Sequence, residues 1–164
     1  MSIKKNVWVL IGFFTVLGIL LRVLDGPILT PSIQSLYLSG KLDTQQVLYL
    51  RVGAAILLTI LGTILFFKFC KLHFERKDLV YAASILAGYT CLMILLIQVF
   101  RDGFVLDYKI WLLYTPVEGF MSLTYLLSGH GYDLNNTPLL SFLPSILAPY
   151  AILLFGIKQR KQDT

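Results

Sequence analysis

Residues 79–100 run for 22 positions without one charged side chain. An α-helix of that length rises about 33 Å, enough to cross the roughly 30 Å hydrocarbon core of a bilayer. The pattern recurs three times. Apolar stretches cover about 7–24, with Arg22 near the end, about 46–67, with Arg51 near the start, and about 138–157, which is uncharged. Four such segments predict an all-α integral membrane protein with four transmembrane helices, forming a single membrane domain over residues 1–164. Composition agrees: 57% of the chain is hydrophobic and 14% is charged, against about 25% charged in ordinary soluble domains. A soluble enzyme, a disordered tail and a nucleic-acid-binding domain are disfavoured. The first stretch is too long for a cleaved signal peptide and no small-residue cleavage site follows it, so a retained helix is expected.

An even number of spans places both termini on one side. That side carries Lys4, Lys5, Lys68, Lys71, Arg76, Lys77, Lys158, Arg160 and Lys161, nine basic residues against the three acids Glu75, Asp78 and Asp163. The other side carries the five bases Arg22, Lys41, Arg51, Arg101 and Lys109 and six acids. Basic residues concentrate in the cytoplasm, so both termini are expected there. The net charge of +5 is then a topology signal and needs no nucleic-acid partner. Short loops and compactness suggest a bacterial plasma membrane.

The two halves share an ordered set of elements. Arg22-Val23-Leu24-Asp25-Gly26, Thr30-Pro31, Leu38-Ser39-Gly40 and Asp43 in the first answer to Arg101-Asp102-Gly103, Thr115-Pro116, Leu127-Ser128-Gly129 and Asp133 in the second. Thr before Pro is a helix-start signal, and glycine just past a helix is a stop signal. Thr115 with Glu118 also fits a capping box. Short helices are therefore expected at about 31–39 and 116–128. Apolar residues at helical spacing on both (Ile33, Leu36, Tyr37; Val117, Phe120, Met121, Thr124, Leu127) place them at the outer interface, or dipping into it, and not standing in water. The expected architecture is two parallel helix–interfacial helix–helix repeats. Asp43 and Thr137 read as caps of the second and fourth spans. Ala83, Ala87, Ser84 and Gly88 permit close approach on the third, and Pro144 and Pro149 bend the fourth.

No acid, base or histidine falls in the middle of a span, which disfavours a proton-coupled pump. Chemistry is confined to an outer rim. Arg22 and Asp25 are spaced to pair on one helix face, and Arg101 and Asp102 likewise close the third span. Arg51, a turn inside the second span, must snorkel or pair. Arg22, Asp25, Arg51, Arg101, Asp102, Glu118 and Asp133 form the expected ligand- or partner-binding rim. His73 and His130 lie on opposite sides of the membrane and lack co-ligands, so no metal site is assigned, and no catalytic residue or cofactor either. The expected function is that of a small non-catalytic membrane protein that binds a membrane-protein partner, a lipid headgroup or a peptide at its outer face, as accessory subunits and immunity-type proteins do. Its partners are membrane lipids and a larger membrane complex or a second copy. The alternatives are a small dimeric transporter or channel, and a membrane-embedded hydrolase using Asp25, Asp102, Asp107, Glu118 or Asp133.

Overall fold

The structure, a computed structural model, describes residues 5–70, 72, 74–104, 113, 115–128 and 139–155. Every element among them is helical. In order they are α1 (Lys5–Leu24), a π-helical turn (Asp25–Leu29), α2 (Thr30–Leu38), α3 (Thr44–Phe69) and α4 (Arg76–Phe104). A 3-10 turn (Thr115–Val117), α5 (Glu118–Ser128), a second 3-10 turn (Leu139–Phe142), α6 (Leu143–Leu147) and a third 3-10 turn (Ala148–Ile152) follow. Helices α1, α3 and α4 are long and apolar enough to cross a membrane. Local chemistry sets their ends. Asp43 accepts the Gln46 N–H at 2.7 Å while the Gln46 side chain accepts the Asp43 N–H at 3.0 Å, the expected cap on α3. Before α4, the Glu75 N–H donates to Asp78 Oδ2 at 3.3 Å.

The contacts fix the directions. Asn6 donates to Asp78 at 3.2 Å, so α1 and α4 start at the same end and run parallel. Phe13 stacks on Phe66 and Leu17 faces Gly62, so α3 runs back. Tyr150 meets Ser84 at 3.0 Å and Phe155 stacks on Phe67, so residues 139–155 also return to that end. Lys5, Lys68, Arg76 and Lys77 therefore gather at one end, called basal here.

The core follows sequence periodicity. On α1 Gly18 is buried together with Val7, Leu10, Phe14, Leu17 and Leu21, the last five alternately three and four apart, as one packed helix face requires. On α4 they include Leu79, Ala82, Ala83, Leu86, Thr90, Met93 and Ile94. A relay of rings ties the elements together: Phe155–Phe67, Phe67–Phe66, Phe66–Phe13, Phe13–Phe14 and Phe14–Phe120, with centroids 4.2–5.5 Å apart. Of the small residues on α4, Ala83 and Ala87 are buried in the core, whereas Ser84 and Gly88 are exposed.

Two expectations change and a third is narrowed. First, Thr30-Pro31 does not start a separate interfacial helix. The chain runs from α1 through the π turn into α2 without leaving helical geometry. Pro27 and Pro31 lack the N–H that an α-helical rung needs. The Thr30 N–H reaches five residues back to the Asp25 carbonyl, and its hydroxyl donates to the same oxygen at 2.7 Å. Thr30 bonds backward into the helix instead of capping forward. The stop at Gly40 does hold: with φ at +70° it lets the Lys41 N–H reach Leu36 O and its own N–H reach Tyr37 O. Second, of the two settings expected for residues 115–128, resting at the interface or dipping into it, the packing matches the deeper one, with one face of the helix inside the bundle. Gly119 abuts Thr59, about 22 Å along α3 from Thr44, and Val117, Phe120, Met121, Ser122 and Thr124 are all buried. Third, the fourth apolar stretch is not one bent helix. Pro144 and Pro149 divide it into 3-10, α and 3-10 segments, and Leu140–Phe155 is shorter than the other three. Thr137 and Gly129 lie outside the described residues.

Candidate functional site

Four of the seven expected rim residues come together where α1, the π turn, α3 and α5 meet. Their pairing differs from the local one. Arg22 turns away from Asp25 and donates from Nε and Nη2 to Glu118 Oε2, at 3.1 and 2.7 Å, across 96 positions of sequence. Asp25 accepts instead from Arg51, at 2.8 Å from Nε to Oδ1 and from Nη2 to Oδ2. That is the two-bond fork that guanidinium and carboxylate planes favour. The Arg22 and Glu118 side chains are 18% and 27% exposed, those of Arg51 and Asp25 24% and 35%. The two pairs are neighbours, since Asp25 is close enough for its charge to oppose that of Glu118.

Backbone geometry explains why Glu118 reaches Arg22. Gly18 lies so close to the 3-10 turn before α5 that a Cβ on it would fall 1.7 Å from the Thr115 carbonyl oxygen. One helical turn further along α1 is Arg22, and three residues beyond Thr115 is Glu118. Gly119 then admits the Thr59 side chain, which an added Cβ would meet at 2.3 Å. Two glycines thus seat α5 between α1 and α3, and the ion pair closes the seam above them. Arg22 and Arg51 each lie 17 residues along their own helices from a basal lysine, Lys5 and Lys68, about 26 Å. Charges at such a height in an apolar bundle need partners, and both have them.

A second polar contact joins α5 to α6. Ser145 Oγ donates to the Phe120 carbonyl at 2.7 Å and accepts the Thr124 N–H at 3.1 Å, with Thr124 Oγ1 at 2.6 Å. A hydroxyl has one donor and two acceptor sites, and this set uses all three. Ser145 and Thr124 are fully buried. The sequence reading missed Ser145; its signal was a small polar residue in an uncharged stretch, directly after Pro144.

Arg101 and Asp102 fall in the last turn of α4, and their side chains are outside the described residues, as are Asp107, Asp133, His73 and His130. Among the described residues no three His, Cys, Asp or Glu side chains stand close enough to hold a metal ion. What the quartet does chemically is join four elements and cancel its own charge. Each of its carboxylates is held by a guanidinium, so the two are not presented as an acid–base pair. The chain matches no protein-family model, no curated protein and no solved structure.

Proposed function

We propose that this is a non-catalytic integral membrane protein that docks a membrane-protein partner on its outer hairpin, formed by α2 and the first two turns of α3. The observation that carries this reading is the contrast between that hairpin and the charged rim. Arg22 and Arg51 already hold carboxylates, which counts against a lipid phosphate as their ligand. The hairpin, by contrast, leaves Leu36, Tyr37, Leu38, Tyr49 and Leu50 exposed and buries Ile33 alone of α2. It lies beyond the paired charges, farther from the basal end, where exposed apolar side chains suit a protein partner. The hydroxyl of Ser145, with its donor and both acceptor sites used within the bundle, is not offered to a transported solute, which favours a binding protein over a transporter.

The membrane arrangement belongs to the same proposal: four crossings, two parallel repeats, both termini in the cytoplasm of a bacterial cell. The 3-10 rise of about 2.0 Å lets residues 139–155, nine of them in 3-10 turns, reach up to about 30 Å, which supports a fourth crossing. The four bases at the basal end support the cytoplasmic assignment.

A photo-crosslinking residue at Leu38, compared with one at Leu61 in the middle of α3, tests the docking surface in the expressing membrane. The expected result is one discrete protein adduct from position 38 and lipid adducts from 61. Lipid adducts alone at both positions refute the proposal, and a band at twice the chain's mass replaces the partner with a second copy.

A further inference from the structure

We infer that the basal end is a binding face for anionic phospholipid: its exposed bases meet the headgroup phosphates, and an exposed apolar side chain one turn inward from each meets the acyl chains. Charge is unevenly presented there. Lys5, Lys68, Arg76 and Lys77 are all exposed. Against them stands one exposed acid at that end among the described residues, Glu75, which already holds Lys77 at 2.8 Å. The other acid, Asp78, is buried and accepts from the Asn6 side chain and the Glu75 N–H. Its charge is used inside the bundle, while the bases face out.

The bases also recur in one arrangement. Trp8 lies three residues from Lys5 on α1, Val80 and Tyr81 lie four from Arg76 and Lys77 on α4, and Leu65 lies three from Lys68 on α3, each on the side away from the basal end. Residues at those spacings share a helix face, and these four apolar side chains are exposed. Phe69, at the end of α3, is exposed too, with Lys68 Nζ 5.7 Å from its ring centroid. A cation at the helix end with an apolar or aromatic side chain one turn deeper matches a phospholipid across its headgroup boundary. The Asn6–Asp78 bond and the Phe66–Phe74 ring contact hold the three helix ends together, so the bases form one patch.

A zwitterionic headgroup carries a cation of its own beside the phosphate, whereas an anionic one does not, so such a patch selects the second. Bases that serve only to orient the chain during insertion predict no selection once the protein is in place.

Trp111→Phe leaves Trp8, one turn from Lys5, as the single tryptophan. This parent protein is reconstituted in vesicles of mixed phosphatidylcholine and phosphatidylglycerol, with bromine on the chains of one lipid or the other, and quenching of Trp8 reads which lipid lies against it. Phosphatidylglycerol is expected to be preferred by about fivefold or more, the contribution of one base near a charged surface, and the preference should shrink as salt is raised. Lys5→Gln/Arg76→Gln should lower it by about fivefold, and Lys41→Gln at the opposite end should leave it unchanged. Equal quenching by the two lipids in the parent, or an unchanged preference in Lys5→Gln/Arg76→Gln, overturns the proposal. Loss of the preference on adding inorganic phosphate at constant ionic strength also overturns it, by assigning the patch to a soluble anion. Should the double variant fail to reconstitute, the salt series on the parent decides: a preference that salt does not weaken is not carried by these charges. The patch and the outer hairpin lie at opposite ends, so failure here leaves the docking proposal standing.

Discussion

Gly12 and Gly18 lie on the same helix and differ in one respect that can be measured. A Cβ at Gly12 meets no heavy atom within 4 Å, whereas at Gly18 it meets the Thr115 carbonyl oxygen at 1.7 Å and the carbonyl carbon at 2.7 Å. The shorter distance places the Gly18 Cα no more than about 3.2 Å from that oxygen, the range of a Cα–H···O contact. Alanine at position 18 therefore needs the 3-10 turn to retreat by about 1.5 Å to restore a normal carbon–oxygen separation. The obstacle is backbone, so no rotamer change relieves it, and the cost belongs at the upper end of the 1–3 kcal/mol of overpacking. The helix-propensity gain of alanine over glycine, up to about 1 kcal/mol in water, applies to both positions and cancels in the comparison. Gly18→Ala should be less stable than Gly12→Ala by about 2–3 kcal/mol, roughly 30- to 160-fold in the unfolding constant. Reversible unfolding of both variants in the same bicelles, by steric trapping or a graded denaturing detergent, measures the difference directly. The retreat should also lengthen the Arg22–Glu118 pair, since Glu118 follows the displaced turn. Equal stability of the two variants would refute the reasoning that α5 is seated by close backbone approach.

Ser145→Ala should cost about 1 kcal/mol in the same assay, in line with hydrogen bonds inside membrane proteins, which average about 0.6 and reach about 1.7 kcal/mol. The loss is small because the Thr124 N–H has Phe120 O, four residues back, as its own helical acceptor; Ser145→Val should cost more, its methyl groups pressing on that rung. Gly40→Ala, at φ +70°, should destabilise the end of α2 by about 1 kcal/mol, seen as faster exchange of the Lys41 amide with no change at the core of α1. In a variant lacking Cys70 and Cys91, a single cysteine at Lys41 should react with an impermeant maleimide from outside the cell and one at Lys5 only after the membrane is opened; the reverse pattern would invert the topology.

What the sequence made legible is what local chemistry decides. The lengths of α1, α3 and α4 follow from apolar runs, the start of α3 from Asp43 and Gln46, the end of α2 from Gly40. Each needs only neighbours within about five positions. The same reasoning misjudged Thr30-Pro31, because threonine before proline serves equally as a forward cap or as a backward bond closing a π turn. The outcome depends on whether the preceding helix has ended, and here it has not. It also paired Arg22 with Asp25, the nearest acid, when the fold supplies Glu118 from 96 positions away.

The depth of residues 115–128 has a related cause. Val117, Phe120, Met121 and Thr124 read as one apolar face of a helix resting at an interface or dipping into it, and those residues are indeed buried. The intervening positions Gly119 and Ser122 carry no apolar side chain. They are small instead of solvated: Gly119 admits Thr59, and Ser122 donates back to the Glu118 carbonyl at 3.2 Å. Inside an apolar bundle a small or self-satisfied residue packs as well as leucine, so polarity scales understate how many faces such a helix can bury. Charge supplies the complementary constraint. Arginines at 22 and 51, each about 26 Å from a basal lysine along its helix, require two carboxylates, and the sequence offers nine acids. The sequence therefore states the demand but not the choice. Seating α5 against Gly18 makes the choice, because it brings Glu118 to Arg22 and leaves Asp25 to Arg51. The glycine contact and the ion pairs are thus one construction, and a change at Gly18 should be felt at the quartet before it is felt anywhere else.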